Sequence, residues 1–190
     1  MITGATSGFG EAFAGRVLSG GGRVIATGRR EDRLKWLEEA WGEERLLTRQ
    51  MDLRSAASVA EALGDLPAEF EGIDILFINA GLALGLAKAP EADLEDWEAM
   101  IEINITGLAR VTRSVLPGMV ARNRGDVLNM ASVAGQSSDL ELGRTSVTGN
   151  NAERGADDVG RDWLGLRTVI GVRAERRAPG ARALRIRIHR

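Results

Sequence analysis

No cysteine occurs among the 190 residues, so neither a disulfide nor a thiolate metal site can form. Histidine is nearly as scarce. His189 stands alone, and one imidazole builds neither a zinc cluster nor a serine–histidine couple. Tyrosine is absent altogether, and lysine occurs only as Lys35 and Lys88. No phenolic hydroxyl is therefore available for proton transfer anywhere in the chain. There is no run of about 18 uncharged apolar residues of the kind that crosses a bilayer. The opening MITGATSGFG has neither the basic start nor the apolar run of a secretion signal. A cytoplasmic protein without membrane attachment is expected.

What is present suffices for a core, since 44% of the residues are hydrophobic, and the length suits one domain of roughly 100–200 residues. Charge is unevenly placed. Residues 1–136 hold 14 basic and 20 acidic side chains, whereas 137–190 hold 11 arginines, no lysine and 7 acids. An arginine-rich end can mark a nucleic-acid partner, but here arginine is scattered among Gly, Ala and acids without interleaved aromatics, and no nucleic-acid binding is expected.

Up to about residue 136 strand and helix signals alternate. MITGATSGFGEAFAGRVLSGGG reads as a strand end, a glycine turn and a helix with Phe13, Val17 and Leu18 at helical spacing. RVIATGRR is a β-branched strand, and EDRLKWLEEAWG a helix with Leu34, Leu37 and Trp41 on one face, stopped by Gly42. ERLLTRQMD is a third strand, and Ser55 is a suitable N-cap for AASVAEALGDL. GIDILFINAG is a continuous apolar run of the type buried on both faces of a parallel sheet. One long helix through Trp97, Ile101, Ile105, Leu108 and Val111 follows, then a fifth strand DVLNMAS. The expected class is α/β, a Rossmann-type doubly wound parallel sheet in three α/β/α layers with a short first strand. Beyond Gln136 the apolar faces fade and glycine recurs, so residues 137–190 are expected as a degenerate or frameshifted tail with one helix and a sixth strand at RTVIGVRA.

Thr3-Gly4-Ala5-Thr6-Ser7-Gly8-Phe9-Gly10 lies between a strand and a helix. Glycines there permit a tight turn and let a pyrophosphate approach the free N–H groups and positive dipole end of the helix. The spacing is G-x-x-x-G-x-G, and a plain glycine-rich turn is the alternative for the motif alone. At the end of the second strand, where an acid would bind the ribose hydroxyls of NAD, Arg29 and Arg30 put two cations suited to the 2′-phosphate of NADP. A solvated arginine pair is the competing reading. Asp52 follows the third strand, where it can accept from an adenine edge or simply precede the helix capped by Ser55.

Taken in order, TGATSGFG, ATGRR, MDL, Asn79-Ala80-Gly81, Asn104 and Ser132 resemble the short-chain dehydrogenase/reductase family over residues 1 to about 136. NAGLALGLAKAPEADLEDWEAMIEINITGL and RSVLPGMV are similar to its bacterial NADP-dependent 3-hydroxy acid dehydrogenases, which oxidise serine-like substrates. The resemblance implies that Gly4, Thr6, Ser7, Gly8, Phe9 and Gly10 hold the phosphates, that Arg29 and Arg30 meet the 2′-phosphate of NADP(H), and that Asp52 and Leu53 meet adenine. It implies that Asn79, Ala80 and Gly81 line the cofactor, that Asn104 kinks the long helix and holds a water for proton relay, and that Ser132 binds the reacting oxygen of a hydroxy acid or carbonyl substrate. It further implies association of copies through the helix from Trp97 to Val120.

The family also requires a tyrosine thirteen residues after the serine, and a lysine four residues later that lowers the tyrosine pKa from about 10 towards operating pH. Those positions are Thr145 and Gly149 here. The expected chain is thus an NADP-dependent oxidoreductase by descent with impaired chemistry; the alternative is a non-catalytic dinucleotide-binding scaffold. A reading-frame disruption would explain the tail. Arg-rich, Lys-free, Gly-studded sequence is typical of GC-rich DNA out of frame, and ARALRIRI back-translates so that the neighbouring frame resembles the family. The short first strand leads to an expectation of marginal stability.

Overall fold

The computed structural model describes residues 1–130 apart from Leu86 and Lys88, and the backbone of strands at 169–174 and 184–188. Five strands run parallel: β1 (Ile2–Thr3), β2 (Val24–Gly28), β3 (Leu46–Gln50), β4 (Ile75–Ile78) and β5 (Asp126–Met130). Helices α1 (Gly8–Ser19), α2 (Glu31–Trp41) and α3 (Ala56–Gly64) follow the first three. The sheet order is β3-β2-β1-β4-β5, continued by two further strands at one end.

Apolar residues at every position of a strand, not every second one, are what a sheet covered on both faces demands. β2 shows the result: all five residues are buried, with Val24 and Ala26 in one cluster and Ile25 in the other. The first cluster joins Val24, Ala26 and Phe77 to Ala14 and Leu18 of α1 and Leu37 of α2. The second joins Ile25, Leu76 and Ile78 to Val59 of α3 and to Val111 and Val115 of the long helix. The three α/β/α layers follow. Local signals agree with them: the Ser55 hydroxyl accepts from Ser58 N at 3.1 Å, and Gly42 ends α2 at φ +70°. β1 is short, yet Met1 carries its ladder on, its carbonyl accepting from Phe77 N at 2.8 Å.

Two apolar faces differ from expectation. Trp41 is 42% exposed rather than in the core with Leu34 and Leu37, because it lies at the end of α2, over Gly15 of α1. The long helix is not one α-helix: α4 (Leu94–Ile101) passes into a π-helical segment, Glu102–Gly107, before α5 (Leu108–Arg122). Bonding from i to i+5 places more residues in that turn and shifts the inner face. Met100, Ile103, Gly107 and Val111 therefore point inward, while Ile101 and Ile105 are exposed. Asn123, in the left-handed region at φ 52°, ends α5.

The strand expected at RTVIGVRA is β6 (Val169–Ala174), paired antiparallel to β5. A seventh, β7 (Leu184–Ile188), which the sequence reading did not anticipate, pairs antiparallel to β6. Ser132, Thr145, Gly149 and any helix in the tail lie outside the described residues.

Candidate nucleotide-binding site

The chain leaves β1 towards β2 on one side and reaches β4 on the other, so the topology reverses between β1 and β4. In open α/β sheets a crevice opens at the carboxyl ends of the strands at such a point. Here it is a cleft of about 320 Å³, bordered by the turn after β1, Arg29 and Arg30 after β2, Asp52 and Leu53 after β3, and Asn79 to Leu82 after β4.

The phosphate turn needs its glycines for space as much as for φ. A Cβ on Gly10 would lie 2.2 Å from the Gly4 carbonyl oxygen and 2.6 Å from Asn79 Nδ2, and one on Gly28 would lie 2.6 Å from Thr6 Cγ2. Gly4 (φ +64°) and Gly8 (φ +56°) occupy the left-handed region. Ser7, the N-cap of α1, makes no side-chain capping bond. Amides of the first turn are thereby left to an anion, which the helix dipole favours. Thr6 and Ser7 line the cleft; Gly8 and Gly10 shape the turn behind it, and Phe9 is 43% exposed beside it.

The two arginines do different things. Arg30 Nη2 donates to the Thr6 carbonyl and hydroxyl oxygens, both at 3.2 Å, so it ties the β2–α2 loop to the phosphate turn. Arg29 lines the cleft, and its guanidinium has no hydrogen-bond partner among the described residues. One helical turn after Arg30, Arg33 donates from Nε to the Thr6 carbonyl oxygen at 3.3 Å and pairs with Glu11 of α1 at 3.2 Å. The sequence reading overlooked Arg33; its i,i+3 spacing from Arg30 was the available signal. Asp52 accepts from the Arg54 amide and guanidinium, at 2.6 Å in the shortest bond. The Arg54 side chain holds its carboxyl below the ordinary value of 3.8, despite partial burial acting the other way.

Across the cleft the Thr3 hydroxyl, wholly buried, accepts from the amides of Asn79 (3.1 Å) and Ala80 (3.0 Å), while Asn79 Nδ2 donates to the Gly4 carbonyl at 3.1 Å. These bonds fasten the ends of β1 and β4 to each other. Asn104 sits inside the π-helical segment with both amide atoms engaged: Oδ1 accepts from Leu82 N at 3.0 Å and Nδ2 donates to Leu82 O at 2.8 Å. Gly81 lies beneath it, where a Cβ would come within 3.1 Å of Asn104 Oδ1.

A family model described as short chain dehydrogenase matches residues 1–142. The chain belongs to the short-chain dehydrogenase family. It is 53% identical over 135 residues to the NADP-dependent 3-hydroxy acid dehydrogenase YdfG of Salmonella typhi, covering 71% of this chain and 54% of that protein. It is 42% identical over 184 residues to a serine 3-dehydrogenase of Rhizobium radiobacter, covering 95% and 70%. The closed form of serine dehydrogenase complexed with NADP⁺ superposes with a TM-score of 0.74 at 47% identity, over 77% of this chain and 59% of the other. The chain thus spans about half the length of the Salmonella relative, although the Rhizobium alignment runs on past residue 142 into the tail.

For a short-chain dehydrogenase the cleft is chemically apt. Gly4 and Gly8 let the turn close beside Thr6 and Ser7, the helix start has no side-chain cap, and Arg29 has no counter-charge in hydrogen-bond contact among the described residues. A dinucleotide with an added phosphate fits that set of donors.

Proposed function

We propose that the chain is an NADP(H)-binding short-chain oxidoreductase, by descent a dehydrogenase of 3-hydroxy acids, whose own turnover is impaired. The observation carrying the nucleotide part is the glycine turn closed against Asn79 and flanked by Arg29. The names of the Salmonella and Rhizobium relatives support NADP and a serine-like substrate. Bound nicotinamide would donate or accept a hydride. The chain's own residues would hold the phosphates on the first turn of α1, meet the 2′-phosphate with Arg29, accept from adenine with Asp52, and bind the reacting oxygen at Ser132. In this proposal Asn104 fixes the Leu82 wall with its side chain and leaves water binding in the relay to the loosened backbone of the π-helical turn.

Impairment rests on Thr145 and Gly149 standing where the proton-transferring tyrosine and its lysine belong, in a chain with no tyrosine. The same absence favours a second reading, a dinucleotide-binding scaffold without turnover. NADPH titration, followed by fluorescence, and NADP-dependent serine oxidation test these together. Binding with little or no oxidation is expected. Oxidation at the rate of an intact relative would overturn the impairment, and absence of NADPH binding would overturn both readings. Sequencing the gene across Gln136–Arg190 tests the frame disruption: an intact Tyr-x-x-x-Lys in the neighbouring frame supports it.

Pairing with a second copy along the long helix is supported by the exposed Leu94, Ile101, Ile105 and Val120, and is checked by light scattering. We place the protein in the cytoplasm; no helix among the described residues is long and apolar enough to cross a membrane.

A further inference from the structure

The π-helical segment Glu102–Gly107 touches both walls of the cleft. On one side Asn104 clamps the Leu82 backbone through two hydrogen bonds. On the other, Gly107 lies so close to the loop after β3 that a Cβ there would be 2.7 Å from Leu53 Cβ. Arg110, in the first turn of α5, completes this second contact. Its Nη1 donates to the carbonyls of Leu53 (3.1 Å) and Arg54 (2.7 Å) and pairs with the Glu102 carboxylate at the start of the π segment.

The consequence runs through the peptide groups. With the Leu53 and Arg54 carbonyls drawn towards α5, the Arg54 amide turns the opposite way, where it donates to Asp52 Oδ1 at 3.0 Å. The Arg54 guanidinium then grips both oxygens of the same carboxylate. Leu53 is 5% exposed and Asp52 borders the cleft, so the loop that Arg110 holds is the cleft wall itself. The two hydrogens of Nη1 are shared among two carbonyls and a carboxylate, and the positive charge of the donor strengthens the tie over a neutral one.

We propose that Arg110, braced by Glu102, is a positioning residue that sets the adenine-side wall of the cleft by fixing the Leu53 and Arg54 carbonyls and, through Arg54, the orientation of Asp52. This rests on the reading that the cleft takes NADP(H) with its adenine against Asp52 and Leu53. The π-helical turn thereby becomes the common support of the two walls.

The test measures the affinity of the full chain for NADPH and for adenosine 2′,5′-bisphosphate, which carries the adenine half alone. The unaltered protein is expected to bind both. Arg110→Met should weaken both by about 5–10-fold, since a charge-assisted tie is lost at a partly exposed site. Arg110→Lys should recover most of the loss. Arg122→Met, which removes a comparable side-chain bond from α5 to the Ile73 carbonyl at the far end of the sheet, should lower the melting temperature without altering either affinity. Unchanged affinity of Arg110→Met for adenosine 2′,5′-bisphosphate overturns the proposal, as does an equal loss in Arg122→Met. If Arg110→Met does not fold, Glu102→Gln takes its place with an expected loss of about twofold on the same ligand, and no loss overturns the idea. Failure of the unaltered protein to bind either ligand overturns the cofactor reading itself, a result distinguishable from the others.

Discussion

β2 and β4 read Val-Ile-Ala-Thr-Gly and Ile-Leu-Phe-Ile, whereas β7 reads Leu-Arg-Ile-Arg-Ile, and these patterns answer to different surroundings. The first two belong to the parallel part of the sheet, where helices cover both faces and every position must be apolar or small. The third alternates apolar and charged residues in sequence, and its backbone pairs antiparallel to β6 as the last of the described strands. The same boundary separates the chemistry. The parallel part brings Gly4, Thr6, Ser7, Arg29, Arg30, Asp52, Leu53 and Asn79 to Gly81 to one cleft, with Gly8 and Gly10 behind it and Phe9 beside it, while the antiparallel strands follow a stretch whose sequence holds neither tyrosine nor lysine.

The largest predicted effect lies in the parallel part. Gly10→Val should abolish NADPH binding and lower the melting temperature by about 5–10 °C, because the side chain would enter the Gly4 carbonyl and an overpacked backbone contact costs up to about 3 kcal/mol. A variant that binds normally would break the assignment of this turn. Next, Leu76→Ala, at a wholly buried position of β4, should cost about 3 kcal/mol in urea unfolding. Hydrogen exchange sharpens the contrast, since β4 amides should exchange more slowly than those of β7, which among the described residues has one neighbouring strand; equal protection would erase the distinction. Arg29→Ala should weaken NADPH about 10–100-fold, with much less effect on NADH and on melting, as expected for one charge-assisted contact to the 2′-phosphate.

The smallest effect concerns Asp52. Its carboxyl is held below the ordinary value by Arg54, so the ionised form is favoured in the folded state. Its stabilisation is present above the ordinary carboxylate pKa and is lost as pH falls through the lower folded value. Asp52→Asn should therefore lower the melting temperature only slightly at neutral pH, since the pair is solvent-screened, and the difference should vanish in acid.

Most of the parallel sheet was legible because its signals are local: continuous apolar strands, Ser55 as a cap, and glycine where a turn must close. The residues that border the cleft were legible for the same reason, standing at strand ends in a recognisable order. Trp41, Ile101 and Ile105 were misplaced because apolar spacing names a face without saying whether that face meets the sheet. The split of the long helix at Glu102–Gly107 was hidden, since a mid-helix asparagine suggests a kink but not the π-helical turn that moves the inner face. Arg33 and Arg110 escaped notice because an arginine on a helix is ordinarily solvated, and nothing local says that a carbonyl from another element will come within reach.

The sequence by itself determined the class of sheet, the glycine turn, the cations after β2 and the absence of a tyrosine and its lysine partner. These depend on residue identity and short spacing, which the chain carries wherever it goes. Only the tertiary structure decided that Arg30 and Arg33 converge on Thr6 while Arg29 faces the cleft, that Asn104 grips Leu82, and that Arg110 holds the opposite wall. Each of the contacts behind these joins residues 22 to 57 positions apart or sets a side chain against a cleft built by several strands, and such distances close only when the sheet and its helices are in place.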